Sequence, residues 1–126
     1  MTHPYRTLLD HKIPVAGGMD WHIVKPSDIF FYIWVAISRE TADGSVVGPE
    51  QRLTREEALR LHTIWAAYST FEEDKKGSLE PGKYADLVVL SDDYITVPQE
   101  EIKNITPLMT MVGGKVIFQK ATIEIQ

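Results

Sequence analysis

The chain has 126 residues, 44% apolar and 25% charged, the composition of one compact unit or of a piece of a larger one, not of a disordered tail. Its 13 Lys and Arg are scattered among 18 Asp and Glu for a net charge of −5, so no basic stripe marks a partner such as nucleic acid or an anionic membrane. With no cysteine, disulfides and thiolate metal sites are excluded, and any metal would bind through imidazole and carboxylate oxygen.

The opening "MTHPYRTLLDHK" has no basic start followed by an apolar run, so it does not read as a secretory signal, and the expected location is cytoplasmic. "KIPVAG" (12 to 17) is apolar, partly β-branched and stops at Gly17-Gly18, as a buried parallel strand does. One carboxylate, Asp20, follows those glycines beside Trp21 and His22.

A helix is predicted from about Pro26 to Arg39, apolar nearly all round and so expecting cover on more than one side. Its "DIFFYIWVAIS" (28 to 38) is the longest apolar stretch, well short of the roughly 20 residues that span a bilayer. "ETADGSVVGPEQRL" (40 to 53), with two glycines, a proline and mixed charge, reads as a loop.

A second helix opens at Thr54, where Thr54 and Glu57 fit a capping box in which each side chain satisfies an orphan amide. Ala58, Leu61, Trp65 and Tyr68 recur at steps of three and four, predicting one buried stripe. The helix should stop before Gly77, with "EEDKK" (72 to 76) as its solvated last turn.

After Gly77 the chain turns β-rich. Pro81-Gly82 suits the centre of a type II turn, a strand is predicted from Ala85 to Leu90, and two more strands flank Gly113-Gly114, the spacing of a hairpin with a primed turn. No internal repeat is visible, and "VGGKV" lacks the spacing of a phosphate-binding loop.

Four stretches in this order, "GGMD" (17 to 20), "RLTREEALRLHT" (52 to 63), "GSLEPGKYADLVVL" (77 to 90) and "MVGGKVIF" (111 to 118), resemble the C-terminal end of the amidohydrolase superfamily, in its YtcJ-like or amidohydrolase-3 branch of metal-dependent hydrolases. The resemblance implies an α+β piece of a larger protein. Residues 1–76 would be the last strand and helices of a (β/α)₈ TIM-like barrel, and residues 77–126 strands of a small composite β-sandwich. It also gives Asp20 a meaning: in such enzymes the aspartate ending the last barrel strand contacts the catalytic metal and handles the proton of the hydrolytic water. Met19 stands where that family usually carries serine, which alters the hydrogen bonding behind Asp20.

By the same resemblance the complete enzyme would hold a divalent metal, zinc in the first instance, and open a carbon–nitrogen bond of a small-molecule substrate. The family's H-x-H pair and its two further histidines have no counterpart among His3, His11, His22 and His62, and a catalytic zinc site needs about three protein ligands. No metal or other cofactor is therefore expected in this chain alone, which should be inactive.

Bland readings stand beside these. His22 is either pocket wall in a complete enzyme or an ordinary loop histidine, and Trp21, Trp34 and Trp65 are core or pocket wall. His62, one place off the helical stripe, reads as packed or surface-lying, and His3 and His11 as incidental. Asp86 should fix a turn, while Glu56 and Glu57 complement a helix dipole. A non-enzymatic alternative also follows: an interaction or regulatory module, of the kind called exoenzyme regulators in this branch, forming a homodimer through an exposed sheet edge or helix face.

Overall fold

The computed structural model describes residues 3–18, 29–41 and 43–120. Helix α1 spans Tyr5–Asp10, α2 Ile29–Ser38, α3 Arg55–Leu61 and α4 Ile64–Ser69; strands β1 (Leu87–Leu90), β2 (Pro107–Val112) and β3 (Lys115–Gln119) follow.

Because α2 is apolar on nearly every side it becomes the centre of the core. Phe30, Ile33, Trp34, Ala36 and Ile37 are buried against Leu53, Ala58, Leu61, Tyr94, Ile102 and Ile105. The outlying face of Trp34 is covered by Lys103, whose ammonium sits 4.5 Å from the ring centroid, a cation–π contact. Two carbonyls orphaned at the C-terminal end of α2 find donors in the following loop: Leu53 N–H to Ala36 O at 3.1 Å and Arg52 Nε to Ser38 O at 3.1 Å, which closes the helix end. The start expected at Pro26 lies outside the described residues.

The capping box of α3 forms as expected. Thr54 N–H donates to Glu57 Oε2 at 2.8 Å, and Glu57 N–H donates to Thr54 Oγ1 at 3.2 Å. The long helix predicted beyond it does not form. It breaks at His62-Thr63, where the Thr63 hydroxyl donates to Leu59 O at 2.9 Å, taking a carbonyl that the helix ladder would otherwise use. The break displaces the expected stripe: Ala58 and Leu61 are buried, but Tyr68 is 48% exposed. Helix α4 ends at Ser69, so "EEDKK" lies past the helix as solvated turns, tied by Lys76 to Glu72 at 2.6 Å.

Two further expectations change. Residues 13–18 form no strand, because no parallel neighbour exists among the described residues and Gly17 N–H bonds instead to Leu61 O at 2.8 Å. Helix α1, unmarked by apolar periodicity, is held by tertiary partners. Arg6 forks onto the carboxylate of Glu57, Nη1 to Oε1 at 2.9 Å and Nη2 to Oε2, while Thr7 shares hydrogen bonds with the buried Gln51.

The sheet is antiparallel in the order β1-β2-β3. Gly113 and Gly114 take φ of 56° and 77°, the left-handed pair of a type I′ turn, and Gly82 at φ 94° suits the third position of the expected type II turn. The helices do not lie on this sheet. Helix α2 packs instead on the segment from 92 to 105, and α3 is joined to that segment by a reciprocal clasp in which Arg55 donates to Tyr94 O, Ile95 O and Val97 O while the Tyr94 hydroxyl donates to Arg55 O at 2.7 Å.

Candidate functional site

Asp20, Trp21 and His22 all lie outside the described residues, and the segment that leads to them is described up to Gly18. There Val15 is partly buried on the core and Gly17 is bonded to the last carbonyl of α3. The imidazole of His62, the residue capping α3, is packed on Gly17. A Cβ built on Gly17 would fall 2.8 Å from Nε2 and 2.9 Å from Nδ1, distances that real side-chain carbons do not tolerate. Burial pushes the His62 pKa below its usual value, because the charged ring would be poorly solvated there. Sequence periodicity placed His62 beside the stripe and missed the contact. Its only signal was the register of the Gly-Gly pair against a helix end far along the chain.

An open cavity of about 400 Å³ lies between Lys12-Ile13-Pro14 and the start of α3, with Thr54, Arg60 and Trp65 on its wall. Three of its charged side chains are paired: Arg60 bonds Glu56 at 2.7 Å, and Glu57 bonds Arg6, which holds its carboxyl below the usual range.

Of the other residues singled out by sequence, Trp34 is core, Trp65 lines this cavity and packs against the core edge, and His3 stacks on Tyr5. Asp86 does fix a turn: its Oδ1 accepts the Gly113 N–H at 2.7 Å. Among the described residues no three His, Asp or Glu groups converge to hold a metal ion, so these residues do not fit a metal by themselves.

The amidohydrolase family pattern matches residues 1–118. The chain belongs to the amidohydrolase family. Within it, the N-substituted formamide deformylase of Arthrobacter pascens is 32% identical over 119 residues, covering 93% of this chain and 21% of that enzyme. The putative amidohydrolase YtcJ of Bacillus subtilis (strain 168) is 27% identical over 120 residues, covering 93% and 22%. The chain thus spans about a fifth of the length of these relatives. In fold, it is similar to an amidohydrolase from Thermotoga maritima MSB8, with a TM-score of 0.50 and 20% identity over 92% of this chain and 34% of the other. Among the described residues no helix is long and apolar enough to cross a membrane.

Proposed function

We propose that this amidohydrolase chain contributes Asp20 as the proton-carrying carboxylate of a hydrolase that opens carbon–nitrogen bonds other than peptide bonds. The observation that carries this reading is the family match over residues 1–118, which takes in Gly17-Gly18-Met19-Asp20. A carboxylate within hydrogen-bond reach of an attacking water can accept its proton and return it to the departing nitrogen. In this reading residues 1–76 are the last strand and helices of a (β/α)₈ barrel, and residues 77–126 belong to a small β-sandwich. Trp21 and His22 are assigned to the substrate pocket of the complete enzyme.

A divalent metal such as zinc would supply an acidified water. In this reading Asp20 is one ligand in the complete enzyme, the histidine ligands come from the part of the relatives' length that this chain does not span, and the chain alone does not turn over substrate. The protein works in the cytoplasm on a small molecule. N-substituted formamides are the first class to try, since a 32% identical relative is named for deformylating them.

The test is amine release from an N-substituted formamide by the full-length protein that carries these residues. Asp20→Asn is expected to lower kcat about 10²- to 10⁴-fold with the thermal transition unchanged. An unchanged kcat ends the reading.

A second reading is favoured by β3, every residue of which is exposed: the chain is an interaction or regulatory module that associates with a second copy of itself.

A further inference from the structure

We propose that the hydroxyls of Thr41 and Ser45 guard the Asp43-Gly44 peptide link against cyclisation, so that the loop after α2 resists the conversion of Asp43 to isoaspartate.

The sequence alone points the other way. An Asp-Gly pair is the dipeptide most open to this reaction, because glycine has no side chain to shield its amide nitrogen, and Asp43 and Gly44 are both exposed. In the reaction the Gly44 nitrogen attacks Asp43 Cγ. A C–N bond forms, a C–O bond of the carboxyl breaks, and the departing hydroxyl takes the amide proton and leaves as water. A second water then opens the five-membered succinimide at either carbonyl, giving back aspartate or giving isoaspartate. Two conditions must be met. The carboxyl has to be protonated, since its ionised oxygen does not leave, and the amide has to be free to release its proton and turn toward Cγ.

The loop withholds both. Asp43 Oδ1 accepts the Ser45 N–H at 3.0 Å, the Ser45 hydroxyl at 2.8 Å and the Thr41 hydroxyl. Hydrogen bonds to a carboxylate favour its charged form, and these hold the Asp43 pKa down to about 2. Each unit of lowering cuts the protonated, reactive fraction about 10-fold. The Gly44 N–H meanwhile donates to Thr41 O at 2.9 Å, so the attacking nitrogen is engaged on the far side of the pair.

The flanking backbone keeps these groups in place. Thr41 N–H donates to Ser45 O at 2.9 Å and Val47 N–H to Arg39 O at 3.0 Å, and Glu40 bridges Val46 in antiparallel fashion. An isoaspartyl link would add one carbon to the main chain between positions 43 and 44, enough to break the register of that bridge. The two hydroxyls therefore protect the hairpin that leads away from α2, and they do so chemically, through the state of one carboxyl.

The experiment follows isoaspartate at position 43 during weeks of warm storage at mildly acidic pH, by digestion and mass spectrometry that separates the two isomeric peptides. The chain, its Thr41→Val, Ser45→Ala and double variants, and a synthetic peptide of residues 38 to 48 are compared. The intact chain is expected to isomerise at least about 10-fold more slowly than the peptide, the single variants to fall between the two, and the double variant to approach the peptide. The Gly44 and Ser45 amide peaks in the nitrogen–proton NMR spectrum of Ser45→Ala and Thr41→Val report whether the hairpin persists, with the backbone donor at position 45 retained in both. Isomerisation of the intact chain at the rate of the peptide overturns the proposal. So do single variants that keep the hairpin and isomerise no faster than the wild-type chain, a comparison that still decides if the double variant loses the hairpin altogether.

Discussion

Phe71 occupies a position that usually belongs to glycine. Helix α4 ends with Glu72 N–H bonded to Ala67 O at 3.0 Å and Phe71 N–H bonded to Tyr68 O at 3.1 Å, the two bonds of a Schellman motif. That motif needs a left-handed residue, and Phe71 supplies it at φ 58° with its ring 88% exposed. A side chain in that conformation costs roughly 1–2 kcal/mol, and so exposed a ring recovers almost none of it by packing. Replacement by glycine removes the strain, offset in part by the greater freedom of glycine in the unfolded chain. Phe71→Gly is therefore expected to leave the chain more stable by up to about 1 kcal/mol, read as a higher urea midpoint with an unchanged slope. A lower midpoint would mean that the ring makes contacts the exposed position does not suggest.

At the scale of elements the β-hairpin depends on one carboxylate outside it. Asp86 precedes β1, yet its Oδ1 holds the Gly113 amide at the far turn, and the Ala85 carbonyl accepts from Gly114 at 3.1 Å. Asp86→Ala should cost about 1–2 kcal/mol, and Asp86→Asn, which keeps an oxygen acceptor, distinctly less. Chemical denaturation separates the two, and equal losses would mean that the carboxylate does not hold the turn. Elements of this kind were legible in the sequence because their signals are closed locally. Thr54 and Glu57 satisfy each other three residues apart, Pro81-Gly82 and Gly113-Gly114 carry their own backbone preferences, and α2 is apolar enough to demand burial whatever surrounds it. What failed depends on distant partners. Helix α1 exists because Arg6 and Thr7 find Glu57 and Gln51 more than forty positions away, the break after His62 competes with a good helical periodicity, and residues 12–17 can be a strand only beside another strand. Of the candidate site, Asp20, Trp21 and His22 lie outside the described residues, and the contact of His62 with Gly17 was not legible, because it joins a glycine to a helix end 45 positions away.

For the whole molecule, the division of labour between core and sheet argues for association. The buried cluster draws on α2, α3 and the segment from 92 to 105, and the sheet reaches it mainly through Leu90. Strand β3 is left with Val116, Ile117 and Phe118 at 48%, 65% and 46% exposure, and β1 adds exposed Val88 and Val89. An apolar strand of this kind at a sheet edge invites a partner. The register argues about how. Thr110 pairs with Phe118 and Met111 with Val116, so Ile117 is a bulge with no residue of β2 opposite it. Bulges on an edge discourage a further strand from continuing the ladder. Self-association should then proceed through the apolar side chains rather than by adding strands. Sedimentation of this chain is expected to show a dimer that dissociates on dilution, and Ile117→Lys to leave a monomer at every concentration with its melting temperature nearly unchanged, because Ile117 contributes nothing to the buried cluster. A wild-type chain that stays monomeric at high micromolar concentration would remove the second functional reading and leave the hydrolase reading, with β3 covered by other parts of the same enzyme, as the account of that exposed strand.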